Sequence, residues 1–210
     1  GVTNPMGETT RFEYDGSNRI SKAIDGHGHE TTYTYDGSAR VTNIEDPNSN
    51  DTVIAYTSST VRTVTNKLSK VTTYTIDAKG RITKISDALA NDTEFEYDST
   101  SWETTAIYGP KIPVSGTPWS RHKTILTYGT VDDTHELAKK EVKKITNTDS
   151  TGTLLAKEEW TYNSLHDMLT YKNALDKITT YTYKLDGGSA SIGLIETIVN
   201  ALSQTILTNT

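Results

Sequence analysis

One short phrase recurs along this chain: threonine, any residue, an aromatic or aliphatic residue, any residue, tyrosine. With its last residue as a marker, copies stand at Tyr14, Tyr35, Tyr56, Ile76, Tyr97, Tyr128, Tyr162 and Tyr183. Successive markers are 21, 21, 20, 21, 31, 34 and 21 residues apart, so the unit is 21 residues long and two intervals are stretched. Two places before each marker stand Phe12, Tyr33, Ile54, Tyr74, Phe95, Leu126, Trp160 and Tyr181. Four places before stand threonines, with Glu158 as the exception. A period held over most of a chain means one supersecondary unit whose faces are covered by neighbouring copies. Such a chain works as a surface or a wall more readily than through a pocket.

Within a unit such as Thr31-Thr32-Tyr33-Thr34-Tyr35, the threonine and both rings fall on alternate positions, which predicts a strand with one ring-bearing face. Threonine, tyrosine, phenylalanine and isoleucine suit a pleated, half-buried surface. A turn follows each marker: Asp15-Gly16-Ser17-Asn18, Asp36-Gly37-Ser38-Ala39 and Asp77-Ala78-Lys79-Gly80 begin with an aspartate able to bond the backbone two residues on. Glycine or asparagine in them is expected at left-handed positions. Arg19, Arg40 and Arg81 then open a second strand, so each unit is a hairpin. Further polar turns, opened by Asn4, Asp25, Asp46, Asn66, Asp87, Asn173 and Asn200, separate the hairpins. The charge pattern of residues 136–145 suits a helix, but they occupy a second-strand slot. The predicted fold is all-β, an antiparallel up-and-down ribbon of repeated β-hairpins. Eight hairpins supply sixteen strands, and open sheets rarely pass about ten without curling, so the ribbon is expected to curve or spiral.

Residues 25–41 and 66–82 carry the full phrase: an aspartate or asparagine, a turn, then T-x-Y-x-[YI]-D-x-x-[AG]-R-[VI]. This resembles the YD repeat of the Rhs family, found in bacterial Rhs and wall-associated polymorphic toxins, toxin-complex BC proteins and teneurins. The units at Tyr56 and Tyr97 match in part, with Val61 and Trp102 in the arginine place, and those at Tyr128 and Tyr162 put Gly129 and Asn163 in the aspartate place. The resemblance implies a ribbon wound into a hollow shell that encloses a C-terminal toxic domain, or, as in teneurins, part of an adhesion ectodomain. On it the chain reads as one YD-repeat array over residues 1–210, a stretch of a longer secreted or cell-surface bacterial protein. Its partners are then the remaining repeats and the C-terminal domain of its own parent.

Composition narrows the alternatives. Hydrophobic residues are 33% of the chain, below the ordinary globular share. Cysteine is absent, which excludes a disulfide framework, a thiolate metal site and a cysteine nucleophile. The net charge of -6 comes from interspersed signs, which argues against nucleic acid. Lys139, Lys140, Lys143 and Lys144 are diluted by Glu136 and Glu141 and read as a solvated face. No apolar stretch has the length of a membrane-spanning helix, and no membrane insertion is expected.

Chemistry-bearing residues each have a structural alternative. His27 and His29 have metal-ligand spacing but occupy an inter-hairpin turn, where polar filler is expected. Asp46-Pro47-Asn48-Ser49-Asn50-Asp51 imitates half a calcium loop, yet Asp51 replaces the required glycine and Thr57 the bidentate glutamate. His122, His135 and His166 lie in or beside the irregular middle, with no nucleophile motif. The pairs Asp132 with Asp133 and Glu158 with Glu159 are strand neighbours that point to opposite faces. Asp186-Gly187-Gly188-Ser189 fills a hairpin turn, not a phosphate loop. No cofactor, no metal and no enzyme activity are expected.

The rings Phe12, Tyr14, Tyr33, Tyr35, Tyr56, Tyr74, Phe95, Tyr97, Tyr128, Trp160, Tyr162, Tyr181 and Tyr183 are expected to form the repeat core by cross-strand stacking. The alternative is a platform for glycans, making the chain an adhesion or carbohydrate-binding module. Residues 109–123, with Trp119 and Arg121, read as an irregular insertion and a possible binding loop, and 128–172 as a lengthened hairpin region. Residues 201–207 offer a strand for pairing with a neighbouring subunit, which makes a self-assembling fibre the third reading.

Overall fold

The computed structural model of the chain describes residues 1–115, 117–129, 135–186 and 190–208. It has two compact units, Gly1–Asp92 and Thr93–Thr210. Among the described residues all regular structure is β-strand. The first unit runs up and down through β1 (Val2–Thr3), β2 (Thr9–Tyr14), β3 (Ile20–Ile24), β4 (Glu30–Tyr35), β5 (Val41–Glu45), β6 (Asp51–Tyr56), β7 (Val61–Thr65), β8 (Val71–Ile76) and β9 (Ile82–Ser86). Each pairs antiparallel with the next. The second carries β10 (Asp92–Tyr97), which starts at the division, β11 (Thr104–Tyr108), β12 (Ile112–Val114), β13 (Thr117–Tyr128), β14 (Leu137–Thr146), β15 (Thr153–Tyr162), β16 (Met168–Lys172), β17 (Ile178–Asp186), β18 (Ala190–Val199) and β19 (Thr205–Thr208). Its ladders are antiparallel too, and residues 136–145, whose charge pattern suits a helix, fall almost wholly in strand β14. The predicted hairpin ribbon is the observed fold in both units.

The turns explain why the repeat is so regular. Eleven described turns, opened by Asn4, Asp15, Asp25, Asp36, Asp46, Asn66, Asp77, Asp87, Asn163, Asn173 and Asn200, share one geometry. The opening residue donates its N–H to the carbonyl of the fifth residue, and its own carbonyl accepts the N–H of the fourth. This is a type I turn closed by a left-handed fourth residue. Its side-chain oxygen takes the backbone N–H groups of the third and fifth residues, as when Asp15 receives Ser17 and Arg19. Glycine or asparagine was expected at the left-handed place, and Asn18 and Gly80 stand there, while Gly16 and Gly37 stand second in their turns. The positive φ belongs to the fourth residue, Asn18 at 61° and Ala39 at 60°. The cage of the opening aspartate or asparagine imposes that conformation whatever the side chain, and Ser49, Ser69 and Ala90 adopt it as well. Arg19, Arg40 and Arg81 close the turns, and the second strands begin one residue later.

A second device sits at the marker. The ladder register shifts immediately before Tyr14, Tyr35, Ile76, Tyr97, Tyr128, Tyr162 and Tyr183. One extra residue is thereby bulged on the second strand, which adds local right-handed twist. Tyr56 is the exception: its turn lacks the aspartate, and Tyr56 pairs directly with Arg62.

The stretched intervals build additional sheet. Residues 109–123, expected to be irregular, place β12 antiparallel to the start of β13. There β13 has twelve residues and β14 and β15 ten each, against five or six in the ordinary hairpin. The alternating Trp119, Arg121 and Lys123 continue the strand pattern through the insertion, which is why it is ordered as strand. Here lies the second unit's core: Ala106, Tyr108 and Ile145 are buried together, with Trp119 packed against them. In the first unit Ile24 is the buried hydrophobic among the described residues. Within each unit, strands touch strands only as ladder neighbours, so each is a single layer with two partly wet faces.

Candidate functional site

The repeated signature residues converge on one arrangement, a clamp between successive hairpins. In the first hairpin Arg19 Nε donates to Asp15 Oδ2 at 2.7 Å. Its guanidinium carbon lies 4.5 Å from the ring centroid of Tyr35, the next marker. The Tyr35 hydroxyl then donates to the carbonyl of Ile20 at 2.7 Å, the first residue of the strand that Arg19 precedes. Asp36 and Arg40 repeat the pair at 2.8 Å, with Arg40 4.1 Å over Tyr56. An arginine over an aromatic face adds about 0.5–1 kcal/mol at exposed sites. Aspartate, arginine and marker tyrosine therefore join hairpin to hairpin, a role for arginine that sequence reading missed. The available signal was an arginine four residues after Asp15, Asp36 and Asp77 and sixteen before the next marker.

Electrostatics follow the same frame. The backbone N–H of His29, then its ring and the backbone N–H of His27, hold Asp25 down to about 2. Backbone and guanidinium bonds from Arg19 lower Asp15, and the Arg40 guanidinium lowers Asp36.

In the second unit the clamp changes sign. The tyrosine anchor persists, since Tyr128, Tyr162 and Tyr183 donate to the carbonyls of Thr104, Leu137 and Met168 at 3.1, 3.2 and 2.9 Å. The turn-closing residue before each of those carbonyls is now a carboxylate, Glu103, Glu136 or Asp167. The turn opened by Asp98 is one residue longer than the five-residue turns opened by Asp15, Asp36 and Asp77, so Glu103 and not Trp102 stands in the arginine place. Burial and then the neighbouring carboxylate push each tyrosine hydroxyl up. Histidines lie against two of these carboxylates: His135 Nδ1 is 2.6 Å from Glu103 and His166 Nδ1 2.5 Å from Glu136.

The remaining rings are placed as follows. Phe12 faces Ala23, Tyr33 faces Ile44, Tyr74 faces Ile85 and Arg62, Phe95 faces Ile107, Tyr97 faces Thr104 and Tyr181 faces Ile198. Tyr14 faces Ile20 and is 56% exposed. Ring-on-ring stacking across the ladder, expected in general, is seen between Trp160 and Tyr171 at 5.6 Å. For Phe12, Tyr33, Phe95 and Tyr181 the partner is an aliphatic side chain, because the second strand supplies isoleucine or alanine opposite the ring. Trp119 and Arg121 are not on an open loop. Arg121 is 11% exposed, donates to Glu94 at 2.9 Å and lies 4.4 Å over Tyr108, while Trp119 is covered by Lys111 and Arg121.

The other candidates are absorbed by local bonds. His29 meets Asp25 at 2.9 Å and His27 meets Glu8 at 3.4 Å. Asp46 accepts from Asn48 and Asn50 in an ordinary turn of this repeat. Glu158 pairs with Lys140 at 3.0 Å and takes the Tyr171 hydroxyl at 2.5 Å, while Glu159, on the opposite face, pairs with Lys157 at 3.0 Å. Lys139 pairs with Glu141 at 3.0 Å. Asp132, Asp133 and the turn residues 187–189 lie outside the described residues.

No protein-family model and no curated protein matches the chain. Among solved structures, the crystal structure of TcdB2-TccC3-Cdc42 is similar over 96% of this chain at 14% identity, with a TM-score of 0.64. The Photorhabdus luminescens Tc holotoxin pore aligns over 94% at 12% identity and a TM-score of 0.46. The chain spans 11% and 12% of the length of those two chains. Its fold is thus that of a repeated-hairpin ribbon. That ribbon is found in the toxin-complex protein TcdB2-TccC3, as the YD-repeat resemblance implied.

Proposed function

We propose that this chain is a structural stretch of a longer extracellular bacterial protein, one array of YD repeats in the wall of a β-shell that encloses or presents a C-terminal effector domain. The observation that carries the reading is a single-layer ribbon, matching TcdB2-TccC3-Cdc42 over 96% of its length, whose recurring residues serve hairpin-to-hairpin joining. A single layer with half-covered rings on one face gains stability when that face meets more of its own protein. The role is mechanical and non-catalytic: the clamp's arginines are engaged by aspartates and rings, and its tyrosine hydroxyls by backbone carbonyls. A glycan-binding role for the rings has less support, because four marker hydroxyls are engaged by backbone carbonyls.

The test uses the parent protein with the segments that flank these residues. Its C-terminal domain is expected to resist protease in the full-length protein and to be cleaved rapidly once the repeat array is opened by deleting residues 30–71. Equal cleavage in both forms overturns the reading.

A further inference from the structure

One hairpin of the first unit departs from the clamp pattern and leaves a positive charge unanswered. The turn after Tyr56 lacks the opening aspartate, and the place of the clamp arginine holds Val61. The arginine stands one residue later, so Arg62 lies within β7, directly opposite Tyr56 on β6 and Tyr74 on β8. Its guanidinium carbon is 5.2 Å from the centroid of the Tyr56 ring, which Arg40 also faces at 4.1 Å. Two guanidiniums thus share one ring, and the carboxylate beside it, Asp36, is bound to Arg40 at 2.7 Å. Arg19, Arg81 and Arg121 likewise meet carboxylates, at 2.7, 2.8 and 2.9 Å. Arg62 Nη1 instead is buried and has no hydrogen-bond partner. A covered N–H of a cation that finds no acceptor costs its full desolvation penalty, so position 62 holds a charge that the chain itself does not balance.

We propose that Arg62 anchors a carboxylate side chain of a polypeptide that lies over the ring-bearing face of the first unit. The surroundings choose the occupant. Tyr56, Tyr74 and the cross-strand pair Ile54 and Val64 share that face with Arg62, which suits an aspartate or glutamate flanked by apolar side chains. A planar guanidinium takes both carboxylate oxygens at once, and a single carboxylate matches the single excess charge. Arg62 is half-buried and reachable, and turning Nη1 toward an arriving carboxylate supplies the bond it lacks. The proposal rests on the reading that more of the parent protein covers this face. Peptide binding at Arg62 and protease protection of the C-terminal domain can nonetheless fail separately.

The experiment titrates the full 210-residue chain with a blocked Leu-Asp-Leu peptide, following backbone amide NMR signals, with Leu-Asn-Leu and inorganic phosphate as comparison probes. Saturable shifts at residues 54–64 and 72–76 are expected, with a dissociation constant on the order of millimolar for one charge-assisted contact. The asparagine peptide should bind at least about tenfold more weakly, a difference of about 1.4 kcal/mol. Arg62→Met keeps an apolar stem and removes the charge, and it should bring the two peptides to equal affinity. Arg62→Lys should keep the preference for aspartate but bind several-fold more weakly, because an ammonium lacks the fork. Four results overturn the proposal: no saturation by about ten times the expected concentration, equal binding of both peptides to the unaltered chain, a preference for aspartate that survives in Arg62→Met, or phosphate binding tighter than the aspartate peptide, which would make this a site for small anions.

Discussion

At the residue scale, the turn aspartate carries three duties at once: two backbone bonds, one side-chain pair and a fixed left-handed neighbour. Asparagine makes the two backbone bonds and holds the left-handed neighbour in five other turns, among them those opened by Asn66 and Asn173. Asp25 ionises near about 3.9 in an unfolded chain but at about 2 when folded. Its stabilising contribution is therefore full above about pH 4 and is lost as pH falls toward 2. Asp15, Asp36, Asp46, Asp77 and Asp87 are lowered in the same sense, so the first unit should unfold in acid over that window. Asp46→Asn should leave neutral stability nearly unchanged and move the acid midpoint to lower pH; circular dichroism during acid titration reads it, and an unmoved midpoint refutes the assignment. Ala39 and Ala90 hold φ near 60°, a conformation that strains a side chain by about 1–2 kcal/mol. Glycine gives back part of that through its freer unfolded state. Ala39→Gly should therefore stabilise by about 0.5–1 kcal/mol in urea denaturation. Tyr35→Phe should lose about 0.5–1.5 kcal/mol by removing the bond to the Ile20 carbonyl.

At the element scale, the ordinary hairpin was legible because alternation and the turn aspartate sit in consecutive residues. The bulge before each marker was not, since it depends on how two strands are offset, and a one-residue offset leaves no mark in composition. The stretched middle was legible as a departure from period but not as added strand. Its energetics rest on Ile145, which is 3% exposed against Ala106 and Tyr108. Ile145→Ala should cost about 2–5 kcal/mol. Gly152 closes the turn there at φ 76°, and a Cβ would stand 2.5 Å from Ile145 Cγ2 and 2.8 Å from the Lys144 carbonyl. Gly152→Ala should therefore destabilise by at least about 1–2 kcal/mol; thermal melting of both variants is the check, and a neutral Gly152→Ala would mean the turn relaxes freely.

At the scale of the whole molecule, stability is a sum of neighbour terms, as expected when elements touch only along ladders. Protection from hydrogen exchange should then vary along the chain, highest for β11 and the paired ends of β13 and β14, lowest for β1, β2 and the exposed β19. Uniform protection would show one cooperative core instead.

Local chemistry determined much of this protein from sequence alone. Aspartate caging, ring alternation and period specify strand, turn and hairpin, because each involves groups within a few residues of one another. The clamp partners, the offset ladders and the reversal from Arg19 and Arg40 to Glu103 and Glu136 were decided by tertiary structure. Those interactions join residues from different hairpins, and only the stacking of one hairpin on the next brings a guanidinium, a carboxylate and a ring to the same point.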